Sequence, residues 1–211
     1  VSEMAADPAR YSMEGESREL TVLFSDVRGF TTISESLKPN ELREYINEYL
    51  TVMSEIIRSH RGTLDKYIGD AIMSFWEVGK PGTTTAKEAC EACVTVLLQT
   101  YLTSALSPEG EMVRFRAGGH FGEALIGNFG SSTRFSYTVV GDTVNSAARL
   151  EPLNKQLRTD VLISHEVFIH VSSRDLLRHV LYMGRTLLVG KAEEVLVYSI
   201  TEVPLSRETV T

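Results

Sequence analysis

Eight apolar side chains at helical spacing, Leu42, Tyr45, Ile46, Tyr49, Leu50, Met53, Ile56 and Ile57, lie between Pro39 and Gly62 and predict a helix over Glu41–His60 with one buried face. A short apolar run, Glu19–Val27, precedes it, which reads as a buried strand. Two more runs follow, Thr63–Ile68 and Ala71–Trp76, split by Gly69-Asp70, the signature of a hairpin. A second helix, from just after the Gly79–Thr85 loop to about Leu106, and a strand pair, Val113–Leu125 with Phe135–Val140, complete the pattern. The Gly-rich Gly127–Ser131 segment is read as the turn of that pair. A helix over Thr143–Leu157 comes next, then short strands with one short helix near Glu166–His170.

Strand, helix, hairpin, helix, strand is the order of an α+β, ferredoxin-like (split βαβ) sheet. Helices flank it, and a small C-terminal α/β extension follows. In this topology the hairpin's second strand lies between the two parallel strands. The end of the first strand and the hairpin turn then share one sheet edge, so Asp26 and Asp70 are expected to stand side by side. Carboxylates about 4 Å apart repel by roughly 4 kcal/mol at an effective dielectric near 20, so such a pair calls for a cation or a shared proton. Paired Asp oxygens binding hard divalent ions are a usual platform for phosphoryl and nucleotidyl transfer. The plainer alternative is an Asp that ends a strand and another that fills a turn.

Charge and cysteines narrow the partners. Against 28 acidic residues stand 21 basic ones, a net charge of −7, which disfavours nucleic acid. No run of 18 apolar residues occurs, so no direct membrane insertion is expected. Cys90 and Cys93, the only cysteines, fall at helical spacing with Ala86, Val94 and Leu97 and read as core residues rather than as half of a zinc site. The lack of a disulfide framework favours a reducing, cytoplasmic setting.

Three segments carry a further signal. Leu23-Phe24-Ser25-Asp26-Val27-Arg28-Gly29-Phe30-Thr31-Thr32, Lys66-Tyr67-Ile68-Gly69-Asp70-Ala71-Ile72-Met73 and Tyr137-Thr138-Val139-Val140-Gly141-Asp142-Thr143-Val144-Asn145-Ser146-Ala147-Ala148-Arg149-Leu150-Glu151 resemble the catalytic domain of class III nucleotide cyclases. Three long motifs in the right order are far more specific than one short pattern. The resemblance covers residues 18–202, with 1–17 a polar lead-in and 203–211 a tail. The polar opening without an initiator Met leads us to expect a piece of a longer protein with regulatory domains.

The resemblance implies that Asp26, Asp70 and the Val27 carbonyl bind two Mg2+ or Mn2+ ions per active site. It also implies that Gly29, Phe30 and Thr31 open a short helix whose free N–H groups cradle the triphosphate. Lys66 and Thr138 match the two base-reading positions. Lys66 is the residue adenylate cyclases carry where guanylate cyclases carry Glu, and Thr138 belongs to the Thr-containing bacterial-type subgroup, similar to bicarbonate-responsive soluble adenylate cyclases. An ammonium donates to a ring nitrogen of adenine and a hydroxyl accepts from its amino group. Asn145 and Arg149, four apart on one helical face, would orient the ribose and neutralise the α-phosphate.

Lys191 matches the later Lys of the family's Lys-Gly-Lys segment, which here reads Val189-Gly190-Lys191. The implied reaction is cyclisation of ATP to 3′,5′-cyclic AMP and pyrophosphate, in sites shared across a head-to-tail homodimer. Three rivals stand beside it: a nucleotide-binding module without turnover, a guanylate cyclase, and a cyclic-dinucleotide synthase. The last lacks its Gly-Gly-Asp-Glu-Phe type signature here.

Overall fold

The computed structural model describes residues 15–102, 114–131 and 133–205, and the statements below concern those residues. Strand β1 (Glu16–Val27) pairs antiparallel with β3 (Ala71–Glu77) on one side and with β4 (Phe115–Ser131) on the other. β2 (Thr63–Ile68) pairs with β3, so the order β2-β3-β1-β4 reproduces the expected split βαβ arrangement. The sheet continues from β4 through β6 (Val161–Ser164) and β8 (Glu194–Ile200) to β7 (Val180–Leu187). β5 (Arg134–Val140) pairs with the far end of β4. Only β4 and β6 run parallel among neighbouring strands.

The period-two alternation of β1 distributes its side chains between two layers. Leu23 and Val27 face helices α2 (Pro39–Ser59) and α3 (Ala86–Leu102), where Tyr45, Tyr49, Met53, Ile57, Cys90, Cys93 and Leu97 fill the larger core. Leu20 and Val22 face the other way, toward Met73, Phe75, Val139 and Ala147 of α4 (Asp142–Leu157). The cysteines are free and buried, as their helical spacing predicts. Burial pushes the Cys90 thiol up to about 12, so it packs as an apolar group. α2 begins with Pro39 at its first position, and the Glu41 carboxylate accepts the Lys38 N–H at 3.0 Å.

α4 sits unusually close to the sheet because β4 supplies glycines beneath it. A Cβ on Gly118 would lie 2.5 Å from the Glu151 nitrogen and 2.8 Å from the Ala147 carbonyl oxygen. One on Gly122 would meet Thr143 Oγ1 at 2.7 Å, and that hydroxyl donates to the Glu123 carbonyl at 2.6 Å. Ala147, fully buried, lies on this closely seated face.

Three readings need correction. Gly127–Ser131 is not the turn: it is the last stretch of β4, with Gly127 opposite Thr138 and Phe129 opposite Ser136. Backbone pairing needs no side chain, so glycines that look like a loop extend the ladder. The ladder runs on to the Ser131–Arg134 pair, and Gly130 within it, with a φ of 154° and a phantom Cβ 2.0 Å from the Arg134 carbonyl oxygen, admits only glycine. The C-terminal part holds two short helices, α5 (His165–Phe168) and α6 (Arg174–Leu177), where one was expected. Four residues form a single turn, too short for periodicity to register. β1 also begins at Glu16, so the last two residues of the presumed lead-in join the ladder opposite Ile126 and Leu125. The expected end of the second helix near Leu106 and the start of the next strand at Val113 lie outside the described residues. No helix among the described residues is long and apolar enough to cross a membrane.

Gly118→Ala should lower stability by about 1–3 kcal/mol in chemical denaturation, because the methyl group lands on backbone that cannot move aside. Gly119→Ala should cost less, since its nearest obstacle is the Cys93 sulfur at 3.3 Å.

Candidate active site

Strand register brings the two acidic motifs together. Ser25 pairs with Ile72 in the β1–β3 ladder, which places Asp26 beside the Gly69-Asp70 turn that opens β3. Gly69 takes a φ of 65°, the left-handed conformation that closes this tight turn. Asp26 and Asp70 are in hydrogen-bonding contact, and both are partly buried. Asp26 Oδ1 is buried with no partner. Its carboxyl is pushed up to about 7, first by burial, then by contact with Asp70 and by the charges of Asp70 and Glu151, against a lowering by the Val27 N–H. Glu151, on α4, is itself raised, by burial and by Asp70, with Arg116 opposing.

An unpartnered buried oxygen, a second carboxylate in contact and a third nearby fit a site that takes a divalent cation. Among the described residues no three His, Cys, Asp or Glu side chains converge as a ready metal set. An ion at the Asp pair would therefore take its remaining ligands from backbone oxygen, water or a nucleotide. Val27 closes β1 next to Asp26 and is buried.

Gly29, Phe30 and Thr31 follow directly. Gly29 is in the left-handed region (φ 74°) and caps α1 (Phe30–Ser36), the short helix expected there. The Gly29 carbonyl accepts the Ile33 N–H at 3.1 Å, and Gly29 and Thr31 are exposed.

Lys66 and Thr138 come from different hairpins and meet at a residue the sequence reading passed over. The Thr138 hydroxyl donates to Asp65 Oδ2 at 2.7 Å, and Lys66 Nζ lies 3.3 Å from the same oxygen. The available signal was an adjacent acid and base, Asp65-Lys66, set in a strand between Leu64 and Tyr67. Asn145 is exposed in the first turn of α4, and Arg149 is one turn later and partly buried. A Cβ on Gly190 would come within 3.2 Å of Arg149 Nη2, so the Val189-Gly190-Lys191 loop passes against that guanidinium. The loop also seats Lys191 on Asp142, the first residue of α4, holding the Asp142 carboxyl below its ordinary value. A cleft of about 580 Å³ lined by Lys191, Asp142, Ser146, His120, His165 and Glu166 opens on this side and does not include the Asp pair. The chain thus presents an acidic set at one sheet edge and a cationic set along α4 and its loop, with the Lys66–Thr138 pair carried by the two hairpins.

Paired carboxylates at a sheet edge with a separate guanidinium and ammonium set are groups that phosphoryl-transfer chemistry calls for. Comparison with known proteins gives the domain a family: residues 13–201 match the family model described as the adenylate and guanylate cyclase catalytic domain, and the chain belongs to that family. It is 36% identical over 152 residues to adenylate cyclase 1 of Rhizobium meliloti (strain 1021), covering 71% of this chain and 23% of that protein. It is 32% identical over 193 residues to an adenylate cyclase of Anabaena cylindrica, covering 87% and 37%. The chain thus spans well under half the length of these curated relatives. Among solved structures, the adenylyl cyclase CyaB from P. aeruginosa superimposes with a TM-score of 0.72 at 31% identity, covering 94% of this chain and 100% of that one. The guanylyl cyclase Cya2 gives 0.71 at 27% identity, covering 92% and 96%. The family generally uses divalent metal ions.

The Asp pair is costly without a cation, so at pH 8 in the presence of a chelator Asp70→Asn should melt above the wild type. A carboxyl whose folded pKa is raised stabilises the fold below its unfolded pKa and loses that contribution as pH rises through the folded value. The variant's advantage should therefore be small near pH 4 and grow through about pH 7, the value to which Asp26 is pushed. Mg2+ or Mn2+ should raise the melting temperature of the wild type and leave the variant nearly unchanged. Thermal melts across pH and metal concentration test both statements.

Proposed function

We propose that this domain converts ATP to 3′,5′-cyclic AMP and pyrophosphate by in-line attack of the ribose 3′-oxygen on the α-phosphorus. The observation that carries the reading is the Lys66–Thr138 pair, one donor and one hydroxyl held at a common carboxylate, in a chain whose Asp26 and Asp70 also converge. The adenylate cyclases among its relatives support the same choice. Likeness to a guanylyl cyclase fits the fold equally well, and the Lys66–Thr138 pair is what supports ATP over GTP in this reading.

Asp26, Asp70 and the Val27 carbonyl would hold two Mg2+ or Mn2+ ions. Bound there, such ions would supply Lewis acidity toward the 3′-hydroxyl and charge for the departing pyrophosphate. Gly29, Phe30 and Thr31 receive triphosphate oxygens at the start of α1, and Lys191 reaches the terminal phosphates. Lys66 donates to a ring nitrogen of adenine while Thr138 accepts from its amino group. Asn145 orients the ribose so that the 3′-oxygen lies in line. Arg149 donates in parallel to the phosphoryl oxygens as charge builds on them. Catalysis on this account is mainly positioning and charge stabilisation, with no covalent intermediate.

The acidic and cationic sets are proposed to meet across a head-to-tail homodimer, each chain giving Asp26 and Asp70 to one site and Asn145 and Arg149 to the other. Exposed Tyr67, Ile68, Leu125, Phe135 and Val140 support this, because they lie on the same hairpins as Lys66 and Thr138 and would be covered by a partner. The short span of the chain within its relatives supports a catalytic unit attached to regulatory domains. Stimulation by bicarbonate belongs to the same reading through Thr138, and activity flat across bicarbonate concentrations at fixed pH would remove it.

Arg149→Ala should lower kcat by about 10²–10³-fold, the loss associated with one oxyanion donor, with an unchanged circular dichroism spectrum. Subunits carrying Asp26→Ala and Arg149→Ala, each inactive alone, should regain activity when mixed, because one site per heterodimer is whole. Silence of the mixture after demonstrated subunit exchange would rule out sharing.

A further inference from the structure

Neighbouring side chains in a regular strand point to opposite faces. β2 departs from this at Asp65, the extra residue between the Leu64–Ser74 and Lys66–Met73 pairs. Bulges of this kind re-aim a side chain, and here two consecutive residues come to face each other, with Lys66 Nζ 3.3 Å from Asp65 Oδ2. The same oxygen accepts the Thr138 hydroxyl at 2.7 Å. The Asp65 side chain is 2% exposed and that of Lys66 41%. A nearly dry carboxylate thus anchors two groups, one of which keeps its head toward solvent.

A carboxylate only accepts hydrogen bonds. Thr138 has one hydroxyl proton, and once that proton is committed to Asp65 the oxygen offers only lone pairs to anything else. The Lys66 ammonium, held by the same oxygen, has further protons to donate. The pair therefore presents one acceptor and one donor of fixed polarity. A 6-aminopurine matches, with its amino group donating and its N1 accepting. A 6-oxopurine mismatches at both points, with a carbonyl that accepts and an N1–H that donates.

We infer that Asp65, the bulge residue of β2, is a positioning residue that sets purine specificity by fixing the hydrogen-bond polarity of Thr138 and Lys66. The inference rests on the proposal above that those two residues face the base. Asp65→Asn keeps the size of the side chain and lets its amide donate to Thr138, which frees the hydroxyl proton to point at a 6-oxo group.

The test is the ratio of kcat/KM for ATP to that for GTP, measured with the full chain for wild type, Asp65→Asn, Thr138→Val and the double variant, alongside Lys66→Ala. If turnover is too slow, equilibrium binding of the two nucleotides gives the same ratio. Asp65→Asn should lower the ratio about tenfold or more, and should add little to Thr138→Val, because it acts through that hydroxyl. If Asp65→Asn does not fold, Asp65→Ser carries the same expectation. A ratio unmoved by the Asp65 substitution but moved by Thr138→Val would reduce Asp65 to a brace between hairpins and overturn the inference, leaving the base reading in place. A ratio moved by neither Lys66→Ala nor Thr138→Val would overturn the base reading itself, and this inference with it.

Discussion

Two acidic side chains pressed together at a sheet edge are the constraint around which this domain is built. β1 is ladder-paired on both sides, from Leu20 to Ser25 against β3 and along its whole length against β4, so Asp26 has no freedom to retreat from Asp70. Backbone hydrogen bonds and two packed layers hold the pair in place. Burial and mutual charge raise the Asp26 carboxyl toward neutrality, and its Oδ1 has no partner among the described residues. A fold keeps such an arrangement at the expense of stability, which is common where strain serves a site.

The other charges are arranged around that pair with little direct contact between the sets. Lys191 rests on Asp142, Lys66 rests on Asp65, and Arg149 lies under the Gly190 loop. Lys191 and Lys66 are each held by a local acidic partner rather than drawn onto Asp26 or Asp70. The acidic edge therefore stays open to an external cation, and the basic groups remain directed by their own anchors. In the head-to-tail arrangement proposed above, the two sets would be the complementary half-sites that a symmetric pair of chains requires.

The sequence made the architecture legible wherever one periodicity persisted over enough residues. The stripe from Leu42 to Ile57 defined α2, and the Gly69-Asp70 turn fixed the hairpin whose second strand lies inside the sheet. Convergence of Asp26 and Asp70 followed from that order alone. Where local composition and tertiary pairing disagreed, the reading failed. Glycines at 127 and 130 spoke for a turn, yet ladder pairing with β5 kept them extended. The single-turn helices α5 and α6 were too short to show any period. At the site, the long motifs pointed to the residues with the most conspicuous chemistry and missed those that hold them. Asp65 shows in the sequence only as an acid next to Lys66, and its role escapes because a bulge changes which way a strand residue points, which no propensity scale records. Glu151 closed a recognised segment, but its bearing on Asp26 comes from the depth at which α4 is seated.

That depth has a mechanical side. With Gly118 and Gly122 removing any cushion between α4 and β4, a shift of the helix against the strand would press backbone on backbone. Arg149 lies on this helix and Glu151, two positions on, bears on the carboxylate edge. In the head-to-tail pair proposed above, the group serving one reaction centre would be carried on the same seated helix as part of the acidic floor of the other. Loading either centre would then be felt at its twin through that shared seat.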